Sequence, residues 1–192
     1  MGGARAPGRG GDHPRGQGRR EAAGDHEGQC PGGHHLTPEE RVGTLLRERN
    51  LTLALAESCT GGLIASLITD VPGSSDYFLA SLVTYSNASK TSLLGVDEVT
   101  LEEHGAVSDR TAREMAAGAR RVIGADVGVA VTGIAGPGGG TPTKPVGLVY
   151  FAVDLGGEVT VERKVLPGDR AEIKKGAAEH ALNMLIERLS NY

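Results

Sequence analysis

The sequence predicts a three-layer α/β/α domain with a mixed sheet. Apolar runs of strand length alternate with helix-period patterns from Leu36 onward. One run, Val127 to Val131, is apolar throughout, as a central strand covered on both faces would be. A pair of runs, Val146 to Val153 and Val159 to Leu166, flanks Asp154-Leu155-Gly156-Gly157 and reads as a hairpin. The hairpin makes the sheet mixed.

The elements follow in order. Thr37-Pro38-Glu39-Glu40 supplies a cap, a proline at the first helical position and the glutamate of a capping box. Val42, Leu45 and Leu46 form the buried stripe of that helix, which stops near Asn50. Leu51 to Ala56 is a first strand, and a second helix covers about residues 61 to 69. After the Val71-Pro72-Gly73-Ser74-Ser75 loop, Leu79 to Thr84 is a second strand that runs into Tyr85-Ser86-Asn87. Ser86 or Asn87 caps a helix with Lys90 in its first turn, ending by Gly95. A short helix at about 99 to 104 precedes a longer one at about 109 to 123, capped by Ser108. The final helix starts near Asp169-Arg170 and runs to about Leu189.

At 192 residues the chain is long enough for one domain with a proper core. Residues 1 to 35 are rich in Gly, Arg, Asp and His with almost nothing to bury, and are expected to be a disordered tail. The ordered domain is expected over residues 36 to 192. A net charge of -4 argues against general nucleic-acid or membrane binding, and 3% aromatics leave little for stacking on bases. Cys30 and Cys59 form neither a disulfide framework nor metal-site spacing, and no cluster of ligating residues has such spacing, so no metal is expected. No apolar run approaches the ~20 residues of a membrane span, and the first residues lack a signal-peptide core, so a cytoplasmic protein is expected.

Three strands end in unusual turns: Ser58-Cys59-Thr60 with Gly61-Gly62, Tyr85-Ser86-Asn87, and Thr132-Gly133. If those strands are parallel neighbours, all three turns share the edge where α/β proteins bind ligands. Ser58 is either a helix cap or an exposed nucleophile, with the N–H groups of Thr60 to Gly62 pointing toward it as oxyanion or phosphate donors. The turn lacks the G-x-S-x-G pattern of a hydrolase elbow. Glu57 either orients a partner or faces solvent, and Cys59 reads as a small buried residue. Lys90 sits at the positive end of a helix dipole. There it is either an exposed, solvated lysine or a partly buried neutral base for a serine. Tyr85 relays a proton, closes the pocket, or is an ordinary strand-end aromatic. The loop from Gly133 to Lys144 fails the P-loop pattern, because Lys144 follows Thr143 rather than glycine. Arg170, at a helix start, is either placed to meet an anion or a plain surface residue.

These turns also carry a family signature. Ala56-Glu57-Ser58-Cys59-Thr60-Gly61-Gly62, Val83-Thr84-Tyr85-Ser86-Asn87 with Lys90, His104-Gly105-Ala106-Val107-Ser108 and Val131-Thr132-Gly133-Ile134-Ala135-Gly136-Pro137-Gly138-Gly139 occur in that order. Lys144-Pro145-Val146-Gly147 and Gly168-Asp169-Arg170 complete it. Over about residues 36 to 192 the chain resembles the carboxyl-terminal domain of the CinA family, whose stand-alone members are nicotinamide-nucleotide amidases. The resemblance implies a mixed five-stranded sheet and an amidohydrolase that converts nicotinamide mononucleotide to nicotinic acid mononucleotide and ammonia in pyridine-nucleotide recycling. It implies Ser58 as nucleophile with Lys90 and Tyr85 as activating partners, Thr132 and Arg170 as further residues needed for activity, no cofactor, and a homodimer. Thr60, Gly61, Gly62, Thr132, Gly133 and Arg170 are the expected substrate-binding set. The other class to weigh is a non-catalytic nucleotide-binding module using the same pocket. Longer relatives carry an additional amino-terminal domain, which residues 1 to 35 are not expected to form.

Overall fold

The computed structural model describes residues 35–192. The expected disorder of the first 35 residues therefore falls, His35 apart, outside the described residues. Helix α1 (Pro38–Arg49) leads into β1 (Leu53–Glu57), α2 (Leu63–Thr69), β2 (Phe78–Val83), α3 (Asn87–Leu94), α4 (Glu98–His104) and α5 (Asp109–Ile123). Strands β3 (Val127–Gly133), β4 (Leu148–Leu155) and β5 (Glu158–Val165) follow, and α6 (Arg170–Ser190) ends the described fold. The elements match the sequence reading to within about two residues at most ends, the usual uncertainty of helix and strand termini. The capping box of α1 is formed, with Thr37 Oγ1 accepting from the Glu40 N–H and the Glu40 carboxylate from the Thr37 N–H. Ser86, not Asn87, caps α3.

The five strands lie in the order β2-β1-β3-β4-β5. β1 runs parallel to both β2 and β3, while β4 is antiparallel to β3 and to β5. The carboxyl ends of β1, β2 and β3 therefore meet at one edge of the sheet, with Glu57 level with Val83 on one side and Val131 on the other.

The two faces of the sheet differ in side-chain size. Leu53, Leu55, Val127, Val129, Val131, Phe151 and Val153 point to the face covered by α1, α2 and α6. The alternate positions are Ala54, Ala56, Ala130 and Ala152, packed against α3, α4 and α5. The small face lets α5 approach closely. A Cβ on Gly128 would stand 2.2 Å from the carbonyl oxygen of Ala116 in α5. Gly128→Ala is therefore expected to push α5 off the sheet and cost at least ~2 kcal/mol in urea unfolding. A loss below 0.5 kcal/mol, on the order of an ordinary surface change, would refute the close-packing account.

Candidate active site at the carboxyl ends of three parallel strands

Strand alternation sorts the residues at the end of β1. The same period that sends Leu53 and Leu55 toward α2 sends Glu57 there, and it sends the next residue, Ser58, to the α3 side. Ser58 remains tied to the sheet, its N–H donating to the Val131 carbonyl at 3.0 Å. Its side chain meets Lys90.

Lys90 is 1% exposed, so the solvated-lysine alternative does not hold. Its Nζ donates to Ser58 Oγ at 3.1 Å and to the Thr84 carbonyl at 2.7 Å. Burial lowers its pKa below the ordinary lysine value of 10.5, a shift that the charged form of neighbouring Cys59 would partly oppose. The Cys59 thiol is pushed up to about 11, mainly by burial; its own N–H, Lys90 and the Thr60 N–H pull the other way, and Glu57 adds to the rise. Cys59 is thus protonated at neutral pH and packs in the core, as its sequence context indicates.

Glu57 neither faces solvent nor orients a catalytic partner. It is fully buried, and its carboxylate accepts from the N–H groups of Gly62 (2.9 Å), Ile64 (3.2 Å) and Ala65 (2.9 Å) and from Ser81 Oγ (3.1 Å). It caps α2 from inside the protein, in place of the Gly62 cap position, which has no side chain to offer. Consequently the expected donors at Gly61 and Gly62 do not point at Ser58. The Gly62 N–H is held by Glu57, and the Gly61 N–H donates to the Ser58 carbonyl at 3.2 Å. Both glycines have positive φ (63° and 96°), which the reversal from strand to helix requires. Their role is to shape the turn. Thr60 is fully buried, with its hydroxyl unpartnered among the described residues, and it does not line the cavity beside Ser58.

That cavity has a volume of about 180 Å³. Ser58, Cys59 and Lys90 form one wall, Thr132 and Gly133 another, and Tyr85 and Arg170 stand at the mouth. Thr132 donates its hydroxyl proton to the Ala106 carbonyl at 2.7 Å, fixing the α4–α5 connection whose Ala106 and Val107, with Ala135, complete the lining. Arg170, the first residue of α6, donates from Nη1 to the Gly136 carbonyl at 2.7 Å and from Nη2 to Tyr85 Oη at 2.9 Å. Tyr85, 61% exposed, is hydrogen-bonded to Arg170 rather than to Ser58 or Lys90. The structure thus brings Ser58, Lys90, Thr132, Gly133, Tyr85 and Arg170 together. The Thr84 carbonyl and the Ala106–Val107 loop lie in stretches that carry the family signature, but nothing local in the sequence assigned them a place in the site. Among the described residues no three His, Cys, Asp or Glu side chains group closely enough to hold a metal ion, and no helix is long and apolar enough to cross a membrane.

Fold and site define a mixed α/β domain with a buried serine–lysine pair in a small recess at the ends of its parallel strands. Residues 35–189 match the family model described as the CinA C-terminal domain, and the chain belongs to that family. It is 56% identical over 159 residues to a CinA-like protein of Chlorobaculum tepidum, an alignment covering 80% of this chain and 38% of that one. The chain thus spans well under half the length of the curated relatives it matches. Among solved structures it is similar to the competence-damaged protein (CinA) superfamily protein of Klebsiella pneumoniae, with TM-score 0.79 and 34% identity, covering 81% of this chain and 97% of that one. The competence/damage-inducible protein CihA of Agrobacterium tumefaciens superposes with TM-score 0.77 at 44% identity, covering 80% of this chain and 93% of that one.

Proposed function

We propose that the domain is an amidohydrolase that deamidates nicotinamide mononucleotide, with Ser58 as nucleophile and Lys90 as its base. The observation that carries this reading is the buried Lys90 Nζ in contact with Ser58 Oγ at 3.1 Å. A desolvated lysine is the standard means of giving serine a base when no histidine is at hand. In its neutral form Nζ accepts the Ser58 proton as Oγ attacks the carboxamide carbon. The tetrahedral intermediate collapses by breaking the C–N bond, and Lys90 returns the proton to the departing ammonia. Water, deprotonated by the same amine, then cleaves the acyl-enzyme ester to give the carboxylic acid and free Ser58. The Gly61 and Gly62 N–H groups are taken, and those of Cys59 and Thr60 face the Cys59 sulfur, so the positive charge that Lys90 carries after taking the Ser58 proton is the group on hand to stabilise the oxyanion. Tyr85 is hydrogen-bonded to Arg170 rather than to Ser58, which supports giving the proton transfers to Lys90.

The deciding experiment is ammonia release from nicotinamide mononucleotide, nicotinamide and glutamine side by side, with and without a chelator. Turnover of the mononucleotide above the other two supports the reading. Tight nucleotide binding without ammonia release would overturn it in favour of a binding module.

The pH dependence follows from the sign of the Lys90 shift. The base works when deprotonated, so kcat/KM is expected to rise with pH through a midpoint below 10.5. Between the folded and unfolded pKa values the unfolded chain binds more protons, so this group's contribution to stability rises with pH over that window. Lys90→Met is accordingly expected to abolish turnover while folding about as stably as wild type at neutral pH. A Lys90→Met protein that retains the rising limb would remove Lys90 from the mechanism.

A further inference from the structure

The 180 Å³ cavity at Ser58 is below the ~300–1,000 Å³ of a typical small-molecule site, so it takes only the reacting end of a nucleotide. Arg170 also lines a second, open depression of about 650 Å³. Its remaining walls are the apolar Leu63, Pro137 and Ala171, with Asp169 and Lys174. Arg170 and Lys174 stand four residues apart on α6 and so project from the same face. Lys174 is half-buried, and its Nζ lies 3.8 Å from the place a Cβ on Gly61 would take, which sets it beside the Ser58 turn. Its ammonium makes no salt bridge among the described residues, whereas the Arg170 guanidinium is already held by Gly136 and Tyr85. The Asp169 carboxylate is turned onto the start of α6, accepting from the N–H groups of Ala171 and Glu172.

We infer that Lys174 is the specificity residue for a phosphate monoester on the far end of the substrate whose carboxamide occupies the Ser58 cavity. This rests on the amidase reading above. Arg170 shapes the passage between the two recesses, the apolar wall covers the uncharged middle of the ligand, and Lys174 supplies the free positive charge at the outer end. A lysine meets phosphate as a point charge through charge-assisted hydrogen bonds. The enzyme would then discriminate between a phosphorylated amide and the same amide without phosphate by way of a residue that touches no reacting atom.

The test compares wild type, Lys174→Ala and Lys174→Arg on nicotinamide mononucleotide and on its dephosphorylated riboside, with inorganic phosphate titrated by calorimetry alongside. In Lys174→Ala the KM for the mononucleotide is expected to rise at least ~10-fold, as for loss of one hydrogen bond to a charged group, with kcat within about twofold. Values for the riboside stay unchanged, Lys174→Arg restores most of the KM, and phosphate binds at least ~10-fold more weakly to Lys174→Ala. An unchanged KM for the mononucleotide, or equal losses on both amides, overturns the assignment. If wild type releases no ammonia from either amide, the amidase reading fails and the phosphate titration decides the subsite. Binding that depends on Lys174 then sustains it, and phosphate binding that is absent or insensitive to Lys174→Ala refutes it.

Discussion

In Ser58→Ala, ammonia release from nicotinamide mononucleotide is expected to fall by at least ~10³-fold in kcat, with the KM little changed. On the proposed mechanism Ser58 supplies the atom that becomes covalently bound, so no neighbour substitutes for it. Cys59, adjacent in sequence and in the cavity wall, holds its proton to about pH 11 and is no reserve nucleophile at neutral pH. The substitution leaves the fold intact, because the tie between Ser58 and β3 is made by the main chain. Near-normal release by a folded Ser58→Ala protein would eliminate the acyl-enzyme route, and mass spectrometry of a rapidly quenched wild-type reaction should show the ester on the Ser58 peptide.

Glu57→Ala is expected to be the most destabilising single change near the site, at about 3 kcal/mol or more in urea unfolding. It strips three N–H donors at the start of α2 and the Ser81 hydroxyl of one shared acceptor, and it leaves a hole where a fully buried side chain stood. Water cannot easily replace it there. The turn between Glu57 and Leu63 carries Ser58, so turnover should drop alongside stability, whereas Ser58→Ala should lower turnover alone. Stability within 1 kcal/mol of wild type would show that α2 holds its position without the internal cap.

The contrast between these two neighbours shows what a sequence makes legible. Ser58, Lys90, Tyr85 and Thr132 were visible because each breaks a local rule: a polar residue closing an apolar strand, or a lysine at the wrong end of a helix. The five strands and six α-helices of the described residues were visible for the opposite reason, since periodicity, caps and glycines all agreed. Glu57 was not legible. An internal cap reaches donors five to eight residues ahead, outside the capping-box spacing, and only the strand–helix reversal brings them within reach. For the same reason the expected Gly61 and Gly62 oxyanion donors turned out to be engaged elsewhere. The bridge from Arg170 to Tyr85 spans 85 positions, and the Thr132 link to Ala106 spans 26. No local pattern encodes such pairings; they follow from strand order, which the sequence left open. Lys174 escaped notice because a lysine on an exposed helix turn looks like any other until the neighbouring turn is placed against it.

The reversal of direction between β3 and β4 has a consequence for how this recess can be altered. Because β4 is antiparallel to β3, the connection from Gly133 to Leu148 leaves and re-enters the sheet at the same edge, beside Ser58. A crossover helix would have tied that connection to the far side of the domain. Here the loop closes on itself through pairs such as Ile134 with Leu148 and Gly147, and Gly133 stays in register with Val149. Between those anchors the loop is held from outside as well, by Arg170 on the Gly136 carbonyl and by Lys144 Nζ on the His104 carbonyl. The segment thus works as a brace, its ends fixed in the sheet while its middle links the recess to the start of α6 and the end of α4, so that a change within it is felt by Arg170 at the rim.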